Sequence, residues 1–170
     1  ETMVEGCLKI VKKTIARSGI LQEKKFVEVL CELAEHPRKP TRKEVFQIVS
    51  EVSALDNLQM EVIMGNDVFL KKILKTAKQA QFELRKEAIL ALVNYTRACT
   101  PAQAIRILED GVYLCLTEVA LKMPEGDVLL KILEGIENCL RWGREYNLRT
   151  ESGENRFAVQ LEDKVEDLDY

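Results

Sequence analysis

The apolar residues of the stretch 82–97 recur at three- and four-residue steps, which is the spacing of an amphipathic helix. They are Ala88, Ile89, Leu92 and Tyr95. A second line along the same predicted helix has the same spacing, so its side chains share one face: Glu87, Leu90, Asn94 and Arg97. The pattern predicts a helix with one packed side and one polar side that is suited to meeting a partner.

The same arrangement returns at intervals in the low forties. Arg42-Lys43-Glu44-Val45 precedes a helical run about 43 residues before Arg85-Lys86-Glu87-Ala88, and a later run ends on Asn138 in the place of Asn94. A repeat of this length made only of helices is typical of an α-solenoid of the armadillo or HEAT type. The sequence therefore predicts an all-α fold, a right-handed armadillo-repeat solenoid fragment of about three to four repeats.

Breaks in the pattern divide this predicted single array over residues 1–170. We predict a partial repeat at 1–19, repeats at 20–54, 57–98 and 101–145, and the start of a last repeat at 153–170. The stretch 2–13 is interpreted as the end of a helix without a capping sequence. Thr41 and Glu44 predict a capping box before a helix at 44–53, and Thr100-Pro101 predicts another helix start.

Composition narrows the class of protein. The 46% hydrophobic content can fill a sizeable core, and no run of eighteen apolar residues predicts a membrane span. A net charge of −3 gives no basic footprint for direct binding of nucleic acid, and the amino terminus has no signal-peptide pattern. One histidine, His36, and no Gly-rich phosphate loop leave catalysis without support, so we expect no enzyme and no cofactor.

The cysteines predict reduced thiols in an intracellular protein, because their number is odd and their spacing is wide. They are Cys7, Cys31, Cys99, Cys115 and Cys139. All but Cys99 fall on predicted apolar faces, where cysteine behaves as a small hydrophobe. With no C-x-x-C pair, we expect no metal site.

Three segments resemble the importin-α family, and the similarity runs from about residue 42 onward. Lys86-Glu87-Ala88 followed by Asn94-Tyr95-Thr96 resembles an inner helix of its carboxyl-terminal armadillo repeats. Leu133-Glu134-Gly135-Ile136-Glu137-Asn138 resembles its penultimate repeat, and the acidic segment 161–169 resembles the start of its last repeat. The three occur in the family's order and spacing.

The resemblance implies an adaptor that shuttles between cytoplasm and nucleus through the nuclear pore. Such an adaptor carries cargo with a basic nuclear localisation signal and binds importin-β through a segment outside this chain. The carboxyl-terminal repeats hold a minor groove for the signal and contact an export receptor and a nucleoporin. By position, the implied peptide-binding residues are Glu44, Gln47, Glu51, Glu87, Leu90, Asn94, Glu134 and Asn138.

The chain departs from the family pattern at the groove tryptophans, since Gln47 and Leu90 stand where indoles are expected. A cation–π contact is worth about 0.5–2 kcal/mol, so losing two should weaken peptide binding by up to a few tens of fold. The chain keeps more of the family's charged groove positions than of its aromatic ones. The predicted inner line has a surplus of acid, with Glu5 and four of the residues above against Lys9 and Lys131, which favours a basic, extended ligand.

Two other classes remain open. An armadillo protein of the adhesion or signalling type has a basic groove for acidic partners, which the predicted acidic line disfavours. A structural solenoid of a larger assembly would bind no peptide. Tyr95 and Trp142 are predicted to be packing residues, and the acidic run from Glu162 onward is by default a solvated face.

Overall fold

The computed structural model describes residues 2–18, 24–55, 57–97, 99–123 and 126–166. In these ranges the regular structure is helical, apart from an isolated bridge between Arg149 and Asn155. The helices are α1 Met3–Ser18, α2 Lys24–Leu33, α3 Lys39–Leu55, α4 Asn57–Met64, α5 Asp67–Gln79, α6 Phe82–Arg97, α7 Pro101–Glu109, α8 Val112–Ala120, α9 Asp127–Glu145 and α10 Arg156–Glu166. The predicted all-α class is confirmed. Among the described residues, none of the helices combines the length and the apolar character that a membrane span requires.

The chain forms two compact units, Glu1–Ala91 and Leu92–Tyr170, and their boundary falls inside α6. Within each unit, long helices pack side by side with shorter ones against them, as in an α-solenoid. The division into repeats at the predicted boundaries stays a prediction.

In the first unit α3 is the central helix, with α1 along one side and α2 and α4 against others. Because it has neighbours on several sides, α3 buries apolar residues from more than one face, including Phe46, Ile48 and Val52. Each such side chain contributes about 1.5–3 kcal/mol by leaving water. Helix α5 begins where the Asn66 side chain accepts the Phe69 backbone N–H at 3.0 Å.

In the second unit the apolar helix α8 lies among α7, α9 and α10. The ring of Phe157 from α10 meets Tyr113 of α8 edge to face, with centroids 4.9 Å apart. Helix α7 begins as predicted at Thr100-Pro101, and Thr100 forms a full capping box with Gln103.

Two predictions about helix starts are wrong. Thr41 does not cap a helix at Glu44, because α3 already begins at Lys39 and Pro40 occupies its first turn, where proline is favoured. Helix α1 does have a capping sequence. The Glu5 carboxylate accepts the Thr2 N–H at 3.2 Å, and the Thr2 hydroxyl accepts the Glu5 N–H at 3.4 Å.

Candidate functional site

The residues predicted on α3 lie on the side of that helix that faces α1. Glu44 and Gln47 are half-buried, and Glu51 is exposed. The Lys12 ammonium of α1 lies 3.0 Å from the Gln47 side-chain oxygen and 3.0 Å from the Glu51 carboxylate. One cation of the chain therefore already occupies two of the groups predicted to hold a basic peptide.

A groove of about 410 Å³ lies beside this contact. Three lysines and two carboxylates line it: Lys9, Lys12, Lys13, Glu44 and Glu51. The predicted surplus of acid does not hold here, because α1 contributes more positive charge than α3 contributes negative charge. Lys9 was predicted on this line, whereas Lys12 and Lys13, which lie within one turn of it, were not.

Glu5 does not belong to an exposed acidic line. Its side chain is only 7% exposed and forms an ion pair at 3.2 Å with the Arg38 guanidinium. The Thr41 hydroxyl donates to the same carboxylate at 3.5 Å. The pKa of Glu5 lies below its ordinary value, chiefly because the carboxylate accepts the Thr2 N–H, and the charge of Arg38 lowers it further. Glu5 therefore links α1 to α3.

Glu87 of α6 meets α3 within the first unit. The Ser50 hydroxyl donates to its carboxylate at 2.5 Å, and both side chains are partly buried there. Leu90, one turn later, is half-buried. Glu87 is itself half-buried, and its lone pairs beyond the Ser50 contact can accept hydrogen bonds from a ligand.

The remaining predicted residues lie in the second unit, where α9 packs beside the end of α6. Asn94 is half-buried on α6. The Asn138 amide donates to the Thr96 hydroxyl at 3.3 Å, and its oxygen accepts from Arg141 at 3.1 Å. Asn138 thus links α9 to α6 and retains partial exposure, which is compatible with both a structural role and a binding role.

Glu134 accepts a hydrogen bond from Lys131 at 2.6 Å and lies 3.8 Å from the Arg97 guanidinium. The hydrogen bond from Lys131 holds the pKa of the Glu134 carboxyl below its ordinary value, and the charges of Lys131 and Arg97 lower it further. Glu134 is therefore ionised at neutral pH, but two cations of the chain already compensate its charge.

The structure also forms an aromatic pair from Trp142, which was predicted to be a packing residue, and Tyr146, which the sequence reasoning missed. Trp142 and Tyr146 of α9 stack with ring centroids 5.4 Å apart, and the Arg141 guanidinium lies 4.6 Å from the indole centroid. The indole N–H donates to the Thr96 carbonyl at 2.7 Å, so the ring is fixed. The four-residue spacing of Trp142 and Tyr146 was the available signal. An indole with a cation on its face thus lies one turn beyond Asn138.

The structure separates Cys7 from the other four cysteines by exposure. Cys31, Cys99, Cys115 and Cys139 are buried, whereas Cys7 is exposed, so its predicted place on an apolar face is wrong. Burial raises the pKa of the Cys99 thiol to about 12 and also raises that of Cys139, which keeps both thiols protonated. Among the described residues, no group of histidine, cysteine and carboxylate side chains is arranged to hold a metal ion.

Comparison with known proteins adds information on the fold only. No protein family matches the chain, and no curated protein matches it. Among solved structures it is similar to the crystal structure of an engineered protein from the Northeast Structural Genomics Consortium. The TM-score is 0.62 at 15% identity, over 95% of this chain and 78% of that one. At this identity the likeness supports the all-α architecture and carries no function.

Proposed function

We propose that this chain is a carboxyl-terminal armadillo segment of a nuclear import adaptor of the importin-α kind. It binds basic nuclear localisation signals weakly and contacts an export receptor and a nucleoporin, while importin-β binds a segment outside it. The protein is an adaptor rather than an enzyme, and it shuttles between cytoplasm and nucleus.

One observation carries the proposal. The acid and amide side chains that the resemblance implies as peptide ligands are at least partly accessible on long helices, where core residues of a plain bundle would be apolar. Glu51 is exposed, and Glu87 and Asn94 are half-buried. Carboxylates select lysine and arginine heads, and an asparagine amide can both donate to and accept from an extended peptide backbone.

Internal cations explain why the proposed binding is weak. A basic peptide must displace Lys12 from Gln47 and Glu51, and Lys131 from Glu134, before it can use those groups. Exposed pairs of this kind are worth about 0.2–1 kcal/mol each, so the competition adds to the loss of the tryptophans without abolishing binding.

A second function is favoured by the groove beside α1. Because three lysines face two carboxylates there, an armadillo scaffold that binds an acidic segment of a partner is the alternative. The two functions predict opposite effects of removing the same charge, so one variant separates them.

The test is a fluorescence-anisotropy titration of the 170-residue chain with a labelled lysine-rich signal peptide and with an acidic peptide of equal length. Lys12→Met removes the competing cation but keeps the apolar stem. It should strengthen binding of the basic peptide about two- to fivefold, whereas Glu51→Gln should weaken it by a similar factor. Lys71→Met, an exposed charge on α5, is the control and should change neither titration.

Binding of only the acidic peptide, weakened by Lys12→Met, would replace the adaptor proposal with the scaffold. An affinity for the basic peptide equal to that of a tryptophan-bearing importin-α would contradict the weakened groove. Binding of neither peptide, with no capture of a purified export receptor, would exclude both functions.

A further inference from the structure

The first unit contains a second concavity, of about 550 Å³, built from residues that the proposed peptide site does not use. It lies where the end of α2, the start of α3, the last turns of α5 and the start of α6 meet. Four cations and one carboxylate line it: Lys39, Arg42, Lys72, Lys75 and Glu35. A volume of this size is in the range of small-molecule and side-chain binding sites.

The charges around this cavity are only partly compensated within the described part of the chain. Lys72 is 20% exposed and pairs with Glu35 at 3.0 Å, while it also donates to the Cys31 carbonyl at 2.9 Å. Lys39 lies 4.0 Å from Glu83, at the outer limit of an ion pair. Glu35 therefore pairs directly with Lys72, and the charge of Lys75 acts on the same carboxylate from a longer distance, since both cations lower the pKa of Glu35. With the marginal contact of Glu83, two carboxylates serve four cations.

Arg42 is fixed in place without losing its charge. Its Nη1 group donates to the carbonyls of His36 at 2.6 Å and of Pro37 at 3.0 Å. These acceptors are neutral, and no carboxylate of the described residues lies within ion-pair distance of Arg42 or Lys75. A guanidinium held by backbone contacts is preorganised, so less side-chain entropy is lost when it binds an anion.

Cations gathered around a concavity repel one another, and an anion removes this repulsion when it binds. The charge excess matches a phosphate monoester better than a single carboxylate. Such a group carries about −1.5 to −2 charges at pH 7 and three strong acceptor oxygens, and arginine with lysine is the usual pair of residue types that binds it.

The rest of the wall suits a phosphate attached to a larger group. The Thr76 hydroxyl and the Gln79 and Gln81 amides offer neutral hydrogen bonds. Leu84 and two alanines give an apolar side that can pack against a carbon skeleton. Inorganic phosphate would leave most of this wall unused.

We propose that this cavity binds a phosphate monoester, with Arg42 and Lys75 as its principal ligands and with Lys39 and Lys72 completing the positive wall. The phosphate comes either from a phosphorylated residue of a partner peptide or from a small polyphosphorylated molecule. The site is independent of the basic-peptide groove, so the chain would bind ligands of both signs at separate places.

The experiment is a calorimetric titration of the 170-residue chain at about 0.15 M salt with three probes. They are a peptide with two neighbouring phosphoserines, the same peptide with glutamates at those positions, and inositol hexakisphosphate. Saturable binding of the phosphopeptide or of the inositol phosphate supports the site, and the tighter of the two identifies the source of the phosphate.

Variants then assign the residues. Lys75→Gln should weaken the phosphate probe about three- to tenfold, and Arg42→Lys should weaken it too, because the charge stays but the planar fork is lost. Lys71→Gln changes the same charge one turn earlier on α5, outside the cavity, and should leave affinity within about twofold. Circular dichroism checks that each exposed-site variant keeps its helices.

Three results would overturn the proposal: no saturable binding of either phosphate probe, saturable binding of the glutamate and phosphoserine peptides with equal affinity, or equal losses in Lys75→Gln and Lys71→Gln. None of them bears on the basic-peptide titration, so the two proposals fail separately.

Discussion

The two units connect their long helices by different means. In the first unit, charged pairs join α3, and Arg38 just before it, to α1 and to the first part of α6. They are Lys12 with Glu51, Glu5 with Arg38 and Lys43 with Glu83. In the second unit, the end of α6 meets α9 through neutral hydrogen bonds and close packing, with one long ion pair between Arg97 and Glu134 at 3.8 Å. Trp142 and Asn138 both bond to Thr96.

A glycine shows how close that packing is. A Cβ at Gly135 of α9 would lie 3.3 Å from methyl groups of Leu116 and Val93.

The difference between the charged contacts of the first unit and the neutral contacts of the second indicates where each unit can respond to a ligand. Charged pairs at a surface exchange partners at little cost, whereas a packed neutral contact cannot be opened without losing stability. Ligand binding is therefore expected to act mainly on exposed charges, and structural damage mainly on the neutral contacts.

The largest expected effect is in the core of the second unit. Phe157→Ala should lower the free energy of unfolding by about 3–5 kcal/mol, because the ring is 0% exposed and packs against Tyr113. Phe82→Ala, at a ring that is 54% exposed on α6, should change it by less than about 0.5 kcal/mol. Urea denaturation followed by circular dichroism measures both. Similar losses in the two variants would contradict the assignment of the core.

Replacement of two helical glycines by alanine should change the stability in opposite directions. Gly143→Ala should destabilise by about 1–3 kcal/mol, because its Cβ would overlap the Asn155 side chain, which holds the Leu140 carbonyl and the Phe157 N–H. Gly6→Ala on α1 meets open space and should stabilise by up to about 1 kcal/mol. Thermal melts of the two variants should therefore shift in opposite directions. Stabilisation by Gly143→Ala would mean that the loop before α10 yields freely.

A higher salt concentration should weaken the charged contacts of the first unit and leave the neutral hydrogen bonds of the second unit unchanged. Trp142→Phe removes the bond to Thr96 and should cost about 0.5–1.5 kcal/mol in both low and high salt. Lys12→Met should cost at most about 1 kcal/mol, and that cost should fade near 1 M salt, where the screening length is about 3 Å. Urea denaturation at both salt concentrations checks this. A salt-independent loss in Lys12→Met would assign its role to packing of the stem.

A fall in pH should lower the stability of the first unit through protonation of Glu5. Its pKa is lowered in the folded state, so its contribution to stability is complete above the unfolded-state value of about 4.3 and is lost as pH falls through the lower folded value. Glu5→Gln should flatten this acid limb of the stability curve, and Arg38→Met should flatten it in part. Denaturation midpoints measured across that pH range test the assignment, which an unchanged acid limb in Glu5→Gln would refute.

Local signals predicted α6 and the start of α7, because the cause of each lies within a few residues. Apolar spacing predicted a helix over the stretch 82–97, where α6 lies, and Thr100-Pro101 predicted the start of α7. The failed start at Thr41 shows a limit of the same reasoning. The fixed backbone angle of Pro40 suits the first turn of a helix, and α3 begins one residue before it.

The candidate site was predicted only in part. Glu44, Glu51 and Glu87 are at least partly exposed, and their role as peptide ligands stays a prediction. The predicted surplus of acid does not hold in the groove beside α1, because Lys12 and Lys13 line it. The pairing of Lys12 with Gln47 spans 35 residues, and the cavity lined by Arg42 and Lys75 joins helices that are far apart in sequence. The repeat period and the amino-acid composition do not predict such contacts.

The sequence by itself determined the all-α class, the approximate positions of the helices and the polar faces on α3, α6 and α9. The reason is that helical periodicity and end signals act between residues at most four apart. Only the tertiary structure decided which charges neutralise one another, that Glu5 is buried, and that four cations surround one cavity. Burial and pairing depend on which helices become neighbours, and that depends on packing across the whole unit.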